Sequence, residues 1–295
     1  MTGSAGKTMQ SGMIRLGDLN VHQLHGGRGR PVLFIHGLGS SGYMEWRFNL
    51  EPAAAGHRVY APDLPGFGRS EKPRARYGIP YFTRFVDSYM ESRGLSNAAI
   101  VAASLGGRVA LELAFKYPDR VGRLVLVNSL GLGRPSVNMT YGLITLPRVG
   151  ETVMRAAGSA LKWAPRPMIR KVAGRYVGAT ADLDRTMDDQ YLEHLRELYA
   201  AQGYHDAYLA TLRSLVNPRS LFGADYDLTK RLSSIKVPVH LIWGADDPLF
   251  PISHATRAHA AIPDCRLTVI EGAGHTPQAE RPDEFNRALL SFLDA

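Results

Sequence analysis

The sequence predicts an α/β protein whose mostly parallel sheet is covered by helices on both faces. Short apolar runs alternate with helical segments along most of the chain, and several of these runs end in Gly-rich turns. A strand that is apolar at every position is typical of a parallel sheet that is buried on both sides. The alternation is interrupted by a long helical stretch, which predicts an inserted subdomain.

The length and the composition agree with this class. The 295 residues suffice for one large α/β domain or for a core with an insertion, and 45% hydrophobic with 21% charged residues is ordinary for a folded protein. No apolar run approaches the roughly twenty residues of a membrane-spanning helix, so no membrane span is expected. Residues 1–12 are rich in Gly, Ser and Thr, which predicts a flexible N-terminal tail rather than a secretory signal.

The charge and the cysteine content bear on partners and location. The net charge is +8, but the positive residues are scattered, and their densest group, at positions 69–76, is interrupted by Pro73. Without a nucleic-acid motif or interleaved aromatic residues, this pattern predicts no nucleic-acid partner. Cys265 is the single cysteine, so no intramolecular disulfide can form, and a cytoplasmic location is the simplest expectation.

Six apolar runs supply the predicted strands, and three segments supply the clearest helices. The predicted strands are Pro31–Ile35, His57–Ala61, Ala98–Ala103, Arg123–Val127, Val239–Trp243 and Arg266–Ile270. The predicted helices are Leu105–Lys116, Ala181–Gln202, whose first turns are acidic, and the amphipathic Pro282–Leu293.

The interrupted alternation defines the predicted domain organisation. Residues 133–230 carry helical patterns without a convincing strand, which predicts a helical cap between two parts of one α/β core, 13–132 and 231–295. Ligands of open α/β sheets bind at the carboxyl ends of the strands, so we expect the cap to cover a binding site there. Its apolar residues, including Trp163 and several methionines, favour a hydrophobic ligand.

Ser104 is the candidate nucleophile. It stands where a predicted strand meets a predicted helix, within Ala102-Ala-Ser-Leu-Gly106 and before Gly107. Small flanking residues allow a tight, strained turn that exposes a serine, although Ala102 stands where the usual motif has Gly. The amide of Leu105 is expected at the helix N-terminus, where it would face an oxyanion. The alternative is an ordinary serine in a strand-to-helix loop.

A serine hydroxyl needs a base, and the base needs a carboxylate that orients it. His275 is the best-placed histidine because it lies in a Gly-rich loop that follows the last predicted strand. Asp246 and Asp247 both follow the preceding strand, and Asp247, next to Pro248, is the predicted acid. The order Ser104, Asp247, His275 is that of triads whose serine is carried on a strand-to-helix turn.

The Gly-rich loop His36–Gly42 is the candidate source of a second oxyanion donor. A backbone amide of this loop, predicted as that of Leu38, can face the same oxyanion as the amide of Leu105. We interpret His36 as structural, with its ring holding the loop by hydrogen bonds. No group of His, Cys and Asp has the spacing of metal ligands, so neither a metal nor another cofactor is expected.

Taken together, five stretches carry a resemblance to a known family. They are His36–Gly39, Asp63–Ser70, the Ser104 turn, Trp243–Asp247 with Pro251, and Gly274-His275 with Glu280 and Pro282. The chain resembles the α/β-hydrolase superfamily, in the branch of carboxylesterases, carbon–carbon bond hydrolases and haloperoxidase-like esterases. The resemblance implies an eight-stranded core, a helical cap after the sixth strand, and acyl transfer through a covalent Ser104 ester. The Asp63–Ser70 stretch would be a structural turn beneath the site.

The leading functional hypothesis is a serine esterase with a hydrophobic small-molecule ester as its substrate. His275 would accept the Ser104 proton, Asp247 would stabilise the imidazolium, and the amides of Leu38 and Leu105 would bind the oxyanion. The second hypothesis is a carbon–carbon hydrolase of aromatic ring-cleavage (meta-cleavage) products. Relatives of that kind often carry an aromatic residue after the catalytic histidine, where this chain has Thr276. The third is a ligand-sensing receptor with little turnover, and the oligomeric state, including a homo-oligomer, is left open.

Overall fold

One eight-stranded sheet forms the centre of the protein, in a computed structural model that describes residues 9–136, 139–216 and 227–295. The strand order is β1-β2-β4-β3-β5-β6-β7-β8; β2 is antiparallel to both of its neighbours, and the remaining pairs are parallel. The mostly parallel sheet is therefore confirmed. The strands are β1 (Met9–Leu16), β2 (Leu19–Gly26), β3 (Pro31–Ile35), β4 (Arg58–Pro62), β5 (Ala98–Ala103), β6 (Val121–Val127), β7 (Val239–Gly244) and β8 (Cys265–Ile270).

Helices separate and follow the parallel strands. Within the described residues they are α1 (Gly42–Trp46), α2 (Leu50–Ala54), α3 (Ile79–Ser92), α4 (Leu105–Lys116), α5 (Met139–Thr145), α6 (Val149–Trp163), α7 (Arg166–Ala173), α8 (Leu183–Thr186), α9 (Asp189–Ala200), α10 (Tyr204–Leu215), α11 (Ser253–Ala261), α12 (Pro277–Glu280) and α13 (Pro282–Leu293). Short 3-10 turns cover Pro118–Arg120, Gly174–Tyr176 and Thr229–Ser234.

The sheet is buried on both faces because its central strands are apolar at nearly every position. Successive side chains of a strand point to opposite faces. In β5, Ile100 and Ala102 join one buried cluster, which also includes side chains of α3, α4 and α11. Val101 and Ala103 join a second cluster, with side chains of α2 and α13. The two layers of helices therefore fix the sheet from both sides, and the carboxyl ends of the parallel strands all lie at one edge.

The connection from β6 to β7 departs from the strand–helix alternation. Its described residues 139–216 form α5 to α10 and contain no strand, and we call this segment the helical insertion. Buried Met154, Leu198 and Leu209 of the insertion belong to the same apolar cluster as the strands. The insertion is therefore packed on the core. Positions 137–138 and 217–226 of the predicted cap lie outside the described residues.

The structure corrects two predictions from the sequence. The first is the flexible tail over residues 1–12: Met9–Gly12 pair with β2 as part of β1, while residues 1–8 lie outside the described residues. The second is the single helix Ala181–Gln202, which is wrong because α8 ends at Thr186 and α9 begins at Asp189. The Asp188 carboxylate accepts a hydrogen bond from the Tyr191 amide, so it caps a new helix at this position.

Candidate active site

Ser104 lies on a strained turn between β5 and α4. Its backbone angles are φ 50° and ψ −116°, a region that residues other than Gly rarely adopt. The turn also needs the glycines after it. A Cβ on Gly106 would lie 2.5 Å from the Ile35 carbonyl oxygen, and one on Gly107 would lie 2.2 Å from Ser129 Oγ. Close packing of α4 on β3 and β6 therefore presents Ser104 at the carboxyl edge of the sheet.

Asp247 and His275 lie on the turns after β7 and β8, which are neighbours in the sheet. His275 Nδ1 lies 2.9 Å from Asp247 Oδ2, at hydrogen-bond distance. The other carboxylate oxygen of Asp247 accepts from the amides of Leu249 at 2.7 Å and Phe250 at 3.1 Å. Asp247 is buried, whereas Asp246 is exposed to solvent. This contact agrees with the choice of Asp247 as the partner of the histidine.

Opposite effects of burial and charge act on this pair. Burial acts to raise the pKa of Asp247, but the His275 ring and the hydrogen bonds to the carboxylate hold that pKa below its usual value. Burial also acts to lower the pKa of His275, but the charge and the hydrogen bond of Asp247, together with the charges of Glu45 and Glu280, more than offset it, so the pKa of His275 is raised. Asp247 therefore stays ionised and favours the imidazolium form of His275, as a general base requires after it has taken a proton.

Two further polar side chains hold this pair in place: Asn128, which the sequence patterns did not indicate, and Glu280, which the family resemblance included without a role. Asn128, which follows β6 and has a positive φ of 40°, donates from Nδ2 to Asp247 Oδ2 and accepts from the Gly244 amide at 3.0 Å. The carboxylate of Glu280 accepts from the Gly274 amide at 2.7 Å and from the Thr276 amide at 2.9 Å. The residues on either side of His275 are thus anchored to one buried carboxylate.

The helical insertion is hydrogen-bonded directly to the histidine loop. The His275 amide donates to the Tyr176 carbonyl at 2.8 Å. The Gly178 amide donates to Glu280 at 2.7 Å, and a Cβ on Gly274 would lie 2.6 Å from the nitrogen of Gly178. These contacts leave no room between segment 176–178 and the loop, so the two are packed directly against each other.

The two predicted oxyanion donors border the same space as Ser104. Leu38 follows β3 and Leu105 begins α4, and both line the cavity described below. Neither amide has a hydrogen-bond acceptor among the described residues, so both are available to a ligand. The ring of His36 is fully buried, with Nδ1 bonded to the Gly37 carbonyl at 2.7 Å and Nε2 to the Leu64 amide at 2.9 Å. This arrangement agrees with the structural role predicted for His36.

Glu45 of α1 is a further polar side chain at the oxyanion loop. Its Oε2 accepts a hydrogen bond from the Gly37 amide at 3.1 Å, and its Oε1 accepts one from Gln278 Nε2 at 2.6 Å. Glu45 thus holds the peptide before the one that carries the Leu38 amide, and His36 Nδ1 is bonded to the carbonyl of that next peptide, so the two side chains together orient the loop. The carboxylate also acts to raise the pKa of His275.

A cavity of about 640 Å³ lies between the carboxyl edge of the sheet and the helical insertion. Ser104 and His275 both line it, and most of the remaining wall is apolar, formed by side chains of the insertion such as Leu161, Ile169 and Leu195. Burial raises the pKa of Tyr191, another wall residue, to about 12, so its phenol is neutral near pH 7. A hydrophobic ligand of small-molecule size fits a site of this kind.

Arg47 is the only arginine or lysine side chain that the described residues contribute to the cavity wall. Its guanidinium donates to the carbonyl of Met44 at 3.0 Å and to the carbonyl of Thr186 in the insertion. Its Nε lies 4.0 Å from the Asp188 carboxylate, and its guanidinium carbon lies 4.9 Å from the centre of the Tyr191 ring. Arg47 therefore connects α1 with the insertion through two hydrogen bonds, and its Nε is buried without a hydrogen-bond partner among the described residues.

The geometry brings the candidate residues together at one place. Ser104, His275, Leu38 and Leu105 line the cavity, and Asp247 lies behind His275. Among the described residues no hydrogen bond joins Ser104 Oγ to His275, a contact that is often long in the absence of substrate and tightens when one binds. The described residues contain no group of three or more His, Cys, Asp or Glu side chains arranged to hold a metal ion.

Comparison with known proteins agrees with the fold. A family model described as the α/β hydrolase fold matches residues 30–282. The chain belongs to the α/β-hydrolase family. Within this family the order β1-β2-β4-β3-β5-β6-β7-β8 and the serine on the turn after β5 are shared features of the fold, and both are present here.

Relatives of this α/β hydrolase include proteins of different activities. An uncharacterized protein of Mycobacterium tuberculosis is 32% identical over 271 residues, covering 91% of this chain and 76% of the relative. A 2-hydroxy-6-oxo-6-phenylhexa-2,4-dienoate hydrolase of Burkholderia cepacia is 29% identical, covering 94% and 92%. The crystal structure of a thermophilic esterase from Thermogutta terrifontis superposes with a TM-score of 0.71 at 22% identity, covering 97% and 98%. At this identity the last likeness concerns the fold alone.

None of the described helices has both the length and the hydropathy of a membrane-spanning segment.

Proposed function

We propose that this α/β hydrolase is a serine esterase that cleaves carboxylic esters of hydrophobic small molecules. The observation that carries the proposal is the contact of 2.9 Å between His275 Nδ1 and Asp247 Oδ2, with Ser104 on the wall of the same cavity as His275. A serine, a histidine and a carboxylate in this relation are the parts of a nucleophilic triad. The helical insertion, as a cap, would exclude water from the cavity.

The mechanism has two acyl-transfer steps. His275 Nε2 takes the proton of Ser104 Oγ while that oxygen attacks the ester carbonyl carbon, and the amides of Leu38 and Leu105 bind the resulting oxyanion. His275 then gives its proton to the departing alcohol, which leaves a Ser104 ester. A water molecule, deprotonated by His275, attacks this ester and releases the acid, and the proton returns to Ser104. Asp247 stabilises the imidazolium in both steps.

A second candidate is the carbon–carbon hydrolysis named for the Burkholderia cepacia relative. A dienoate substrate carries a carboxylate, and such a group needs a cation or several donors when it is buried. The guanidinium of Arg47, the only one that the described residues place on the cavity wall, donates to two backbone carbonyls and lies 4.0 Å from the Asp188 carboxylate. The hydroxyl of Thr276, next to the histidine, lies 3.0 Å from Glu280. The cavity wall is otherwise mostly apolar, which supports a substrate without an acidic group over one that carries it.

A fluorophosphonate probe and a series of nitrophenyl esters of increasing chain length test the proposal. We expect the probe to label Ser104 in the wild type and not in Ser104→Ala, and the variant to lose nearly all ester turnover, by about a millionfold where the background allows it. Labelling without turnover of any ester, combined with hydrolysis of a phenyl-substituted ring-cleavage product, would instead identify the carbon–carbon hydrolase. Labelling with neither activity would favour the receptor.

The two neighbouring aspartates supply a matched pair of variants for the acid. Asp247→Asn should reduce kcat by about 10⁴-fold, since an amide cannot stabilise the imidazolium and favours the wrong tautomer. Asp246→Asn should leave kcat within a few-fold of the wild type, because Asp246 is exposed. Steady-state kinetics of both variants on one ester measure the difference. A loss of kcat in Asp246→Asn but not in Asp247→Asn would mean that Asp246, and not Asp247, is the acid of the triad.

A further inference from the structure

The exposed apolar side chains of this protein are concentrated on one part of its surface. Nine large apolar side chains are exposed among the described residues, and all but Met13 belong to the helical insertion. These eight are Leu143, Leu146, Val149, Val153, Trp163, Met168, Val172 and Tyr176. Trp163, with 81% of its surface exposed, is the most extreme. Single exposed apolar residues are normal, but a group of this kind marks an interaction surface.

Several of these side chains lie on one side of their helix, and some of them also line the cavity. At about 100° per residue, positions 149, 153 and 163 of α6 fall within about 80° of one another, on one side of the helix. In α7, Met168 and Val172 are one turn apart and more than half exposed. Met168, Val172 and Tyr176 also line the cavity. Residues that are both exposed and cavity-lining lie at its opening, so the apolar patch reaches that opening.

The same segment carries much of the positive charge of the chain. Residues 149–176 contain six arginines and lysines and one glutamate, a net charge of +5 in a chain of +8. Arg166 forms an ion pair with Asp189, and Arg170 forms one with Asp184. The remaining cations form no ion pair within 4 Å inside the described ranges; they are Arg155, Lys162, Lys171 and Arg175. Lys162 lies 5.4 Å from the centre of the Trp163 ring, so charge and exposed aromatic surface are adjacent.

We propose that α6, α7 and the turn Gly174–Tyr176 form a face that docks on an anionic phospholipid bilayer, and we call it the lipid-docking face. Apolar side chains flanked by lysine and arginine bind the interface of such a bilayer, and tryptophan favours the level of the headgroups. A second copy of the chain is a poorer occupant, because a twofold contact would place the four cations of one face that have no ion pair within the described ranges near the same four of the other. An anionic surface complements the same charge.

Docking in this orientation would place the opening of the cavity against the bilayer. Met168 and Val172 would enter the headgroup region while Ser104 stays inside the protein. A hydrophobic ester dissolved in the membrane could then reach Ser104 without crossing water. This consequence for the substrate rests on the proposed esterase function, whereas the docking itself does not.

Sedimentation of the full chain with vesicles tests the docking. We expect binding to vesicles of phosphatidylcholine with phosphatidylglycerol, weaker binding to phosphatidylcholine alone, and weakening by added salt. Of the three tryptophans, Trp46 and Trp243 are fully buried. A blue shift of the tryptophan emission on vesicle binding would therefore report Trp163, and Trp163→Phe should abolish that shift.

Two double variants and two controls make the assignment specific. Trp163→Ser with Met168→Ser, and Lys162→Glu with Lys171→Glu, should each weaken vesicle binding about tenfold or more, with unchanged thermal unfolding. Met13→Ser and Lys116→Glu remove an exposed methionine and an exposed lysine elsewhere on the surface, and should bind like the wild type. Ser104→Ala should also bind like the wild type, so failure of the esterase proposal and failure of docking are distinguishable.

Three outcomes would overturn the proposal. One is the absence of binding to anionic vesicles at low salt. Another is an equal loss of binding in the Met13 or Lys116 controls, which would mean that binding is not confined to the lipid-docking face. The last is a concentration-dependent dimer that Trp163→Ser with Met168→Ser converts to monomer, which would identify the face as a contact between copies of the chain.

Discussion

At the scale of single residues, Glu45 stands out because its carboxylate lies next to the proposed oxyanion site, which must stabilise a second negative charge. Its carboxylate holds the Gly37 amide and the Nε2 of Gln278, and the oxygen of that side chain, Gln278 Oε1, is buried without a hydrogen-bond partner among the described residues. We interpret Glu45 as a positioning residue. It orients the peptide of the oxyanion loop and, through its charge, favours the protonated form of His275.

Glu45→Gln separates these two effects. Ester attack requires neutral His275, so kcat/KM of the wild type should rise with pH through the pKa of His275, which lies above 6.5. Removal of the negative charge should lower that pKa, so the rise should move to lower pH. Glutamine keeps an acceptor for the Gly37 amide, so kcat at high pH should change little, whereas Glu45→Ala should lower it.

The pH profile of kcat/KM on a soluble ester measures the shift. Glu91→Gln, an exposed carboxylate of α3, is the charge-matched control and should leave the profile in place. A profile of Glu45→Gln that stays with the control, or that moves to higher pH, would contradict the electrostatic role.

At the scale of elements, the strand-to-helix unit of β5 and α4 determines where the nucleophile lies. Gly106→Ala should destabilise the protein by about 1–3 kcal/mol, because the added methyl would press on the Ile35 and His36 carbonyl oxygens, at 2.5 and 2.8 Å. Activity should fall as well, since α4 can only yield by moving the Ser104 turn. Urea unfolding and ester kinetics measure the two effects.

Gly12→Ala supplies the comparison for that variant. Gly12 lies in β1, nothing lies within 4 Å of its added Cβ, and its φ is not positive. The stability and activity of Gly12→Ala should match those of the wild type or slightly exceed them. If Gly106→Ala unfolds at the same urea concentration as Gly12→Ala, then the close packing of α4 on β3 does not restrict the turn.

The elements that the sequence predicted correctly carry a continuous apolar run or an amphipathic helical pattern. The six parallel strands β3 to β8 match their predicted ranges to within two residues at each end, and the helices α4 and α13 match theirs at both ends. The two antiparallel strands β1 and β2 were missed, since β1 alternates between exposed and half-buried positions and reads as polar. The break between α8 and α9 was missed because its signal, an aspartate cap at Asp188, is one among several acidic residues.

At the scale of the whole molecule, buried histidines link stability to pH. Burial lowers the pKa of five of them below the usual 6.5: His25, His36, His205, His240 and His254. The unfolded chain therefore binds more protons than the folded chain below that value, and the free energy of unfolding should fall as the pH decreases from about 7 towards 4. The raised pKa of His275 acts in the opposite direction.

His240→Gln should make this decline shallower. The pKa of His240 is lowered to about 4, its Nδ1 is buried without a partner, and its Nε2 lies 2.8 Å from Thr268 Oγ1, a contact that glutamine can replace. Urea midpoints at several pH values give the slope. The exposed His259 provides the control, and a slope of His240→Gln as steep as that of His259→Gln would contradict the assignment.

The candidate site was predictable only where its residues sit in recognisable local patterns. Ser104, Leu105, Leu38 and His275 each stand in a Gly-rich turn beside an apolar strand, and the fold brings those turns to one edge. Asn128 and Glu45 stand in no such pattern. Asn128 bonds Asp247 across 119 positions of sequence, and Glu45 bonds Gln278 across 233. Contacts of this range depend on the tertiary fold, which a single sequence does not reveal residue by residue.

The backbone hydrogen bond from the His275 amide to the Tyr176 carbonyl limits how chimeras between related hydrolases can be designed. A chimera that took its insertion from another hydrolase would lose the carbonyl that holds the histidine amide, together with the Gly178 amide that occupies one oxygen of Glu280. The junction of such a chimera should therefore lie before residue 174. The native segment 174–180 then stays with the His275 loop to which it is hydrogen-bonded. A chimera joined after that segment would carry a foreign insertion and a His275 loop without its native hydrogen bonds.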